Sequence, residues 1–334
     1  MSTNVTTTVA RRRIGRTSLE VSVMGLGAAP LGGLYRPSSQ ADADATIDAA
    51  QSAGLTHIDV APHYGQGLAE QRVGRSLGRS GRDNFTLSTK VGRLLVPGSA
   101  EVSVKNFPEA LPFATVYDAT ADGIRRSLDE SILRLGGRTP DMLLLHDPDR
   151  YAEGAALRSL IESAHAALLS LKREGRVAAI GLGVNAPEPC RMALEVGDWD
   201  CFLLAGSYSV LRQDVEGVLD ACLAKGVSVL IGGPYMSGAL AGGSTWRYRP
   251  IPDAIARDIE QLRAVCAQHD VPIEAVALQY PLQHPAVASV VVGMRSADEV
   301  RQNVSHLRAI IPDLLWDELR ALGYAKRPRQ GASA

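Results

Sequence analysis

The sequence predicts an α/β fold, a closed (β/α)8 or TIM barrel with an N-terminal β-hairpin, on three observations. Short, nearly continuous apolar runs recur eight times along the 334 residues, as is typical of parallel strands covered on both faces. Amphipathic helical patterns fill the intervals, and this alternation favours a parallel sheet. Eight such units in a chain of this length favour closure into a barrel. Since no linker rich in Pro, Gly or Ser divides the chain, we expect one domain over residues 1–334.

The elements follow in order along the chain. Residues 13–20 look like a small hairpin that closes the N-terminal end of the barrel, and we expect residues 1–12 to form a flexible tail. The expected strands are residues 21–27, 57–61, 85–90, 142–146, 178–183, 201–205, 227–231 and 288–292. Helical patterns cover residues 41–53, 117–135, 162–174, 215–225 and 254–269.

Charge and cysteine content narrow the possible functions. The 35 Lys and Arg nearly cancel the 36 Asp and Glu, which argues against a protein that binds nucleic acid or a membrane surface. The four cysteines lie far apart, without a C-x-x-C motif, as is typical of a reduced compartment. No apolar run approaches the ~20 residues of a membrane span, and the N-terminus lacks the apolar core of a secretory signal. We therefore expect a cytoplasmic protein that binds a small molecule, and the oligomeric state stays open.

Four chemically active side chains follow three predicted strands at their C-terminal ends, where barrels of this type carry their chemistry. Asp59 and then Tyr64 follow the second strand, Lys90 ends the third and His146 ends the fourth. A Tyr phenol has a pKa of about 10, and a nearby ammonium favours the phenolate. We therefore expect Lys90 to lower the pKa of Tyr64, Asp59 to hold Lys90, and His146 to orient a substrate oxygen. Taken singly, Asp59 also suits a helix cap and His146 a buried structural position.

The order and context of these residues resemble the aldo-keto reductase family. Residues 59–65, D-V-A-P-H-Y-G, resemble its D-x-A-x-x-Y-G segment, and Lys90 and His146 stand where the family keeps its other two catalytic residues. The resemblance extends from Gly15 to about Asn303. It implies a (β/α)8 barrel that binds NAD or NADP without a Rossmann domain. It also implies that Tyr64 donates a proton in carbonyl reduction and accepts one in alcohol oxidation.

The same resemblance implies a set of cofactor-binding positions. Asn185 matches the Asn that binds the nicotinamide amide, and Gly232, shortly before Pro234, stands where many members carry an aromatic residue that stacks on the nicotinamide. Glu299 stands where many members have a basic residue, and an acid there would repel the 2′-phosphate of NADP and so favours NAD. Arg295 could bind that phosphate instead, so NADP stays open. The implied cofactor contacts are Asn185, Gly232, Pro234, Gly293, Met294, Arg295, Ser296, Glu299 and Asn303.

Residues 203–208, 232–238 and 278–285 look like the aldose dehydrogenase branch of that family, which includes D-threo-aldose and L-fucose 1-dehydrogenases. The resemblance implies oxidation of an aldose such as L-fucose, D-arabinose or L-galactose at C1 to the lactone. His63 and Trp246 are the candidate substrate contacts, and simple loop packing stays open for Trp246. A pyridoxal 4-dehydrogenase, a general aldehyde or ketone reductase, and a weakly catalytic cofactor-binding regulatory subunit remain as alternatives.

Two competing motifs carry less weight. Residues 181–186 fit G-x-G-x-x-A, but the acid at the right distance, Asp200, starts a strand instead of ending one. His57, Asp59 and His63 are metal-ligand types, yet no second cluster accompanies them and Lys90 would repel a cation there. We therefore expect no metal.

Overall fold

The chain is described here by a computed structural model that covers residues 9–79, 85–98 and 106–326. Within these residues, eight parallel strands close into a barrel in chain order, and the last strand pairs with the first. This closure confirms the predicted fold class. The barrel strands are β1 (Met24–Gly27), β2 (His57–Asp59), β3 (Thr86–Val91), β4 (Met142–His146), β5 (Ala179–Val184), β6 (Cys201–Ala205), β7 (Ser228–Gly232) and β8 (Val287–Gly293).

Helices surround this barrel and bury the outer face of the strands, while side chains packed in the barrel interior bury the inner face. Every residue of β4 and β5 is buried, which explains why these strands could be predicted from nearly continuous apolar runs. The helices are α1 (Gln40–Ser52), α2 (Leu68–Gly78), α3 (Ala121–Arg134), α4 (Gly154–Arg173), α5 (Glu188–Val196), α6 (Glu216–Ala224), α7 (Asp253–Gln268), α8 (Ile273–Gln279), α9 (Ala297–Arg308) and α10 (Asp313–Ala321).

Two helix boundaries differ from the prediction. Helix α3 begins at Ala121 and not at Tyr117, because the Thr120 side chain accepts a hydrogen bond from the Gly123 amide and caps the helix. Residues Phe113–Tyr117 instead form a strand that pairs antiparallel with Arg93–Pro97. Helix α4 begins at Gly154, eight residues before the predicted start at 162.

An N-terminal hairpin closes the bottom of the barrel, as predicted. Arg11–Arg13 pairs antiparallel with Glu20–Ser22, and the fully buried Ile14 between them packs in the apolar cluster of the barrel interior. The Arg12 guanidinium donates to two main-chain carbonyls, those of Leu282 (3.1 Å) and Val287 (2.6 Å). The tail predicted over residues 1–12 is therefore wrong at Arg11 and Arg12, because these contacts order them. Residues 1–8 lie outside the described part of the chain.

Two small hairpins rise from the opposite, C-terminal end of the barrel. The first, Arg93–Pro97 with Phe113–Tyr117, follows β3, and the second, Thr245–Trp246 with Arg249–Pro250, follows β7. They bring side chains from long loops over the strand ends. Among the described residues, no helix has both the length and the apolar character needed to cross a membrane.

Candidate active site

The Lys90 ammonium binds Asp59 and Tyr64 at the same time. Its Nζ donates to Asp59 Oδ2 at 2.7 Å, to the Val60 carbonyl at 3.0 Å and to the Tyr64 hydroxyl at 3.1 Å. The pairing of β2 with β3 explains this contact, because it brings the ends of the two strands together at one edge of the barrel. Three of the four predicted catalytic residues therefore form one hydrogen-bonded chain.

The electrostatics of this chain differ from the prediction in one respect. Burial alone would lower the pKa of Lys90, but Asp59 and Tyr64 raise it above its ordinary value, so the side chain is an ammonium. Burial raises the pKa of Tyr64, and the charge on Lys90 lowers it by a smaller amount. The lowering by Lys90 thus agrees with the expectation, but burial, which the sequence did not show, leaves the pKa of Tyr64 above its ordinary value in the free protein. The desolvation of the phenolate outweighs the ammonium 3.1 Å away, and the phenol keeps its proton at neutral pH.

His146, the fourth predicted residue, stands beside Tyr64. The two rings are nearly perpendicular, with centroids 6.4 Å apart, and the ring of His63 lies 6.0 Å from that of His146. Burial and the nearby charge of Arg93 hold the pKa of His146 well below its ordinary value. The same two causes lower the pKa of His63 to about 3. Both imidazoles are neutral at pH 7, and each has one N–H with which to donate to an oxygen.

Phe107 covers Tyr64 from the loop between the strands of the first hairpin. Its ring lies almost parallel to the phenol, at an interplanar angle of 22° and a centroid distance of 6.3 Å, and it meets the His63 ring edge to face. The Tyr64 ring thus lies next to two other rings, those of Phe107 and His146. Sequence reasoning missed Phe107, because its position depends on how a long loop folds.

A buried carboxylate next to His146 binds a predicted cofactor residue. Asp147 accepts from Arg93 Nη2 at 2.7 Å through one oxygen and from Asn185 Nδ2 at 3.0 Å through the other. Its backbone lies in the left-handed region, at φ 43°, which is rare for a residue other than Gly. Because the Asn185 amide nitrogen is engaged, the amide oxygen is left to accept a hydrogen bond. The H-D pair at 146–147 was visible in the sequence, but its partners were not.

A cleft of about 1120 Å³ opens beside these residues at the C-terminal end of the barrel. Its volume lies slightly above the ~300–1,000 Å³ usual for ligand sites. Among the described residues, no group of His, Cys, Asp or Glu is arranged to hold a metal ion. The predicted site residues that line the cleft are Asp59, Tyr64, Asn185, Gly232, Pro234, Trp246, Gly293, Arg295, Glu299 and Asn303.

Two predicted cofactor contacts have other roles in this structure. Met294 is fully buried in the core and does not line the cleft. The Ser296 hydroxyl caps α9 by accepting from the Glu299 amide at 3.1 Å. The cap leaves the first turn of a 12-residue helix beside the cleft, where its amides favour an anion.

At the far end of the cleft, Glu299 is held by arginines. Its carboxylate accepts from the Arg295 amide at 2.8 Å and from Arg36 Nη2 at 3.3 Å. Asn303 is fixed through the Tyr235 hydroxyl at 2.5 Å and donates to the Glu299 carbonyl at 2.7 Å. Sequence reasoning missed Arg36, which comes from the loop after β1 and is 263 residues away from its partner.

The second hairpin covers the middle of the cleft. Trp246 lines the cleft and is half-buried, while the neighbouring Arg247 donates to the Asn185 carbonyl at 3.3 Å. Tyr248 is 52% exposed at the tip, and its main-chain amide donates to the Ser237 hydroxyl at 3.1 Å. Of the two predicted substrate residues, Trp246 thus lines the cleft, whereas His63 does not line it and lies beside the ring of His146.

Together these features fit a nicotinamide dinucleotide. The cleft is long enough to reach from Tyr64 to Asn303, it holds an amide oxygen at one end, and it has two arginines and a helix N-terminus at the other. Gly206 and Gly233, after β6 and β7, have no atoms near the position of a Cβ, so the main chain there is open to close approach by a ligand.

Comparisons with known proteins agree with this geometry. A family profile described as "Aldo/keto reductase family" matches residues 23–323. A pyridoxal 4-dehydrogenase from Microbacterium luteolum is 38% identical over 94% of this chain and 97% of its own. A D-threo-aldose 1-dehydrogenase from Pseudomonas sp is 38% identical over 90% of this chain and 94% of its own. Among solved structures, an aldo-keto reductase from Bacillus halodurans in its holo form superposes with a TM-score of 0.75 at 25% identity, covering 97% of this chain and 99% of that one.

Proposed function

This chain belongs to the aldo/keto reductase family, and we propose that it oxidises an aldose such as L-fucose, D-arabinose or L-galactose at C1 to the lactone. The family makes it an oxidoreductase that uses NAD or NADP. One observation carries the proposal: the Lys90 ammonium binds both Asp59 and the Tyr64 hydroxyl, at the edge of a cleft that fits a dinucleotide.

The proposed reaction moves one proton and one hydride. Tyr64 accepts the proton of the C1 hydroxyl, the C1–H bond breaks, and a carbon–oxygen double bond forms. The bound nicotinamide supplies the hydride acceptor. Lys90 stabilises the Tyr64 phenolate, Asp59 keeps Lys90 in place, and the neutral His146 donates a hydrogen bond to the substrate oxygen.

The proposed cofactor site follows the cleft. Asn185, held by Asp147, meets the nicotinamide amide, and the main chain at Gly232 and Pro234 borders the ring. The adenosine end lies at Gly293 to Asn303, where Glu299 repels a 2′-phosphate. We propose a preference for NAD on this ground, and the two arginines that bind Glu299 are the feature that opposes it.

Pyridoxal is the second candidate substrate, and the aromatic surroundings of Tyr64 favour it. The Phe107 ring lies nearly parallel to the phenol, and the His63 ring meets the Phe107 ring edge to face, so a planar heterocycle has aromatic neighbours to pack against. An aldose and pyridoxal share one chemical feature, because each closes in water to a cyclic hemiacetal. Oxidation of either hemiacetal gives a lactone by the same transfer of proton and hydride, so one site suits both.

A screen at 340 nm tests the proposal. The protein is given NAD⁺ or NADP⁺ with L-fucose, D-arabinose, L-galactose or pyridoxal, and the Tyr64→Phe protein is the control. NAD(P)H formed with a stereochemically related set of aldoses supports the aldose assignment, and NAD(P)H with pyridoxal alone replaces it by the second candidate. Turnover only of simple aldehydes in the reverse direction replaces both by a general reductase. Cofactor binding without turnover of any of these compounds contradicts the enzyme proposal and favours a regulatory subunit.

A further inference from the structure

The hydrogen-bonded chain that begins at Tyr64 does not end at Asp59. The second carboxylate oxygen of Asp59, Oδ1, accepts from the Ser88 hydroxyl at 2.7 Å, and Ser88 in turn lies 3.0 Å from His57 Nε2. Successive side chains along a strand alternate between its faces, so His57 and Asp59 share one face of β2, as Ser88 and Lys90 share one face of β3. The five side chains thus form one continuous line through the barrel interior.

The positions of the protons in this line follow from its donors and acceptors. A carboxylate only accepts, so the single proton of Ser88 points to Asp59, and His57 Nε2 must carry the proton that binds Ser88. His57 Nδ1 is buried without a hydrogen-bond partner, and a Cβ on Gly25 would lie 2.6 Å from it. Because burial lowers the pKa of His57 to about 4, the ring is neutral at pH 7. Every donor on both sides of Asp59 therefore points toward its charge.

We propose that Ser88 and His57 are positioning residues for the reaction at Tyr64, which they reach through Asp59 and Lys90. Ser88 fixes one oxygen of Asp59, so the other oxygen stays on the Lys90 ammonium and the ammonium stays at the Tyr64 hydroxyl. His57 orients the Ser88 hydroxyl by donating to it. This inference rests on the proposed proton transfer, but it concerns residues that neither the family resemblance nor the cleft assigns.

Removing the Ser88 hydroxyl changes the Tyr64 phenol in one direction. Without Ser88, Asp59 loses a donor that withdraws part of its negative charge, and it is free to turn away from Lys90. A stronger negative field and a less firmly placed ammonium both disfavour the phenolate, so the pKa of Tyr64 rises. The substitution therefore acts on Tyr64 through Asp59 and Lys90. It leaves in place the other titratable groups that face Tyr64 or pack beside it, which are Asp147, His63, His146 and Tyr248.

The test compares Ser88→Ala with Ser289→Ala. Both serines are fully buried in barrel strands, but the Ser289 hydroxyl makes only a 3.5 Å contact with the next carbonyl and lies outside the chain of five. The Tyr64 ionisation is read from ultraviolet difference spectra against the same background carrying Tyr64→Phe, which requires no substrate. The pH dependence of kcat/KM for oxidation is the second readout.

For Ser88→Ala we expect the Tyr64 titration and the alkaline limb of oxidation to move up by about one pH unit. At a fixed pH below the limb, kcat/KM then falls about tenfold, because a rise of one unit lowers the phenolate fraction tenfold. The Kd for NAD⁺ stays within about twofold, since Ser88 does not itself line the cofactor cleft. Ser289→Ala behaves like the wild type, and Ser88→Thr, which keeps a hydroxyl, recovers most of the loss.

A folded Ser88→Ala protein with the wild-type titration and pH profile overturns the inference. His57→Phe provides a test that does not depend on the folding of Ser88→Ala, because it removes the donor to Ser88, and we expect a smaller shift in the same direction. If the Tyr64 pKa is unchanged in both variants, the positioning role is refuted. If the wild type oxidises none of the substrates tested, the proposed function fails, whereas the Tyr64 titration still decides whether Ser88 acts on it.

Discussion

Replacement of Lys90 by Met tests how strongly the buried ion pair holds the site together. The Lys90 and Asp59 side chains are 2% and 4% exposed, with Nζ and Oδ2 2.7 Å apart. Met fills most of the volume of the Lys stem, so the main loss is electrostatic. The substitution leaves the Asp59 charge buried with the Ser88 hydroxyl and without its cation.

The cost follows from the burial of that charge. Removing one partner of a buried pair destabilises a protein by about 3–5 kcal/mol, because the other charge is left uncompensated. The same substitution at Lys172 is the matched control, because its pair with Asp200 is equally short, at 2.7 Å, but the Lys172 side chain is 32% exposed. For a pair partly open to water we expect a cost of about 1 kcal/mol.

Denaturant unfolding of the two variants measures both costs. We expect Lys90→Met to lower the free energy of unfolding several times more than Lys172→Met, without a change in the m-value. Adding Asp59→Asn to Lys90→Met should recover part of the loss, since it removes the unpaired charge. If Lys90→Met costs no more than Lys172→Met, or if Asp59→Asn adds a further full loss, the reasoning from burial is refuted.

Three further predictions concern the cleft and its proton chemistry. Gly183→Ala places a Cβ 3.1 Å from Lys90 Cε, so we expect about a tenfold loss of kcat with an unchanged cofactor Kd. A wild-type kcat in that variant would show that the added methyl group does not displace Lys90. Glu299→Arg should shift the Kd ratio toward NADP by about tenfold or more, and an unchanged ratio would put Glu299 off the cofactor. Burial raises the pKa of Tyr64, and oxidation needs the deprotonated phenol. The rate of oxidation should therefore keep rising to alkaline pH, while the rate of reduction falls there. A bell-shaped pH profile of oxidation centred near neutrality would contradict this.

The barrel and the four residues at its rim could be predicted from the sequence for one physical reason. A strand buried on both faces must be apolar along its length, so a polar residue that ends such a run, such as Lys90 or His146, stands out. The order of the strands then follows from the alternation with helices. These two rules place Asp59, Lys90 and His146 at one edge without any knowledge of side-chain geometry.

Contacts between distant loops could not be predicted in this way. Arg93 and Asp147 are 54 residues apart, and Arg36 and Glu299 are 263 apart, so each pair depends on how loops fold above the barrel. The net direction of the Tyr64 pKa shift could not be predicted from sequence either, because the presence of Lys90 is visible but the extent of burial is not. The contact of Ser88 could not be predicted for a related reason, since it depends on the register between β2 and β3 that sets Ser88 opposite Asp59.

The most direct test of the proposed chemistry is the turnover of the Tyr64→Phe protein, measured at 340 nm beside its Kd for the cofactor. Positioned acid–base groups contribute about 10²–10⁴-fold to a rate. We predict a loss in that range with a Kd within about twofold of the wild type, because Phe keeps the ring and removes only the hydroxyl that Lys90 binds. A Tyr64→Phe protein that oxidises the substrate at the wild-type rate would contradict proton transfer at Tyr64, and with it the assignment of the catalytic residues.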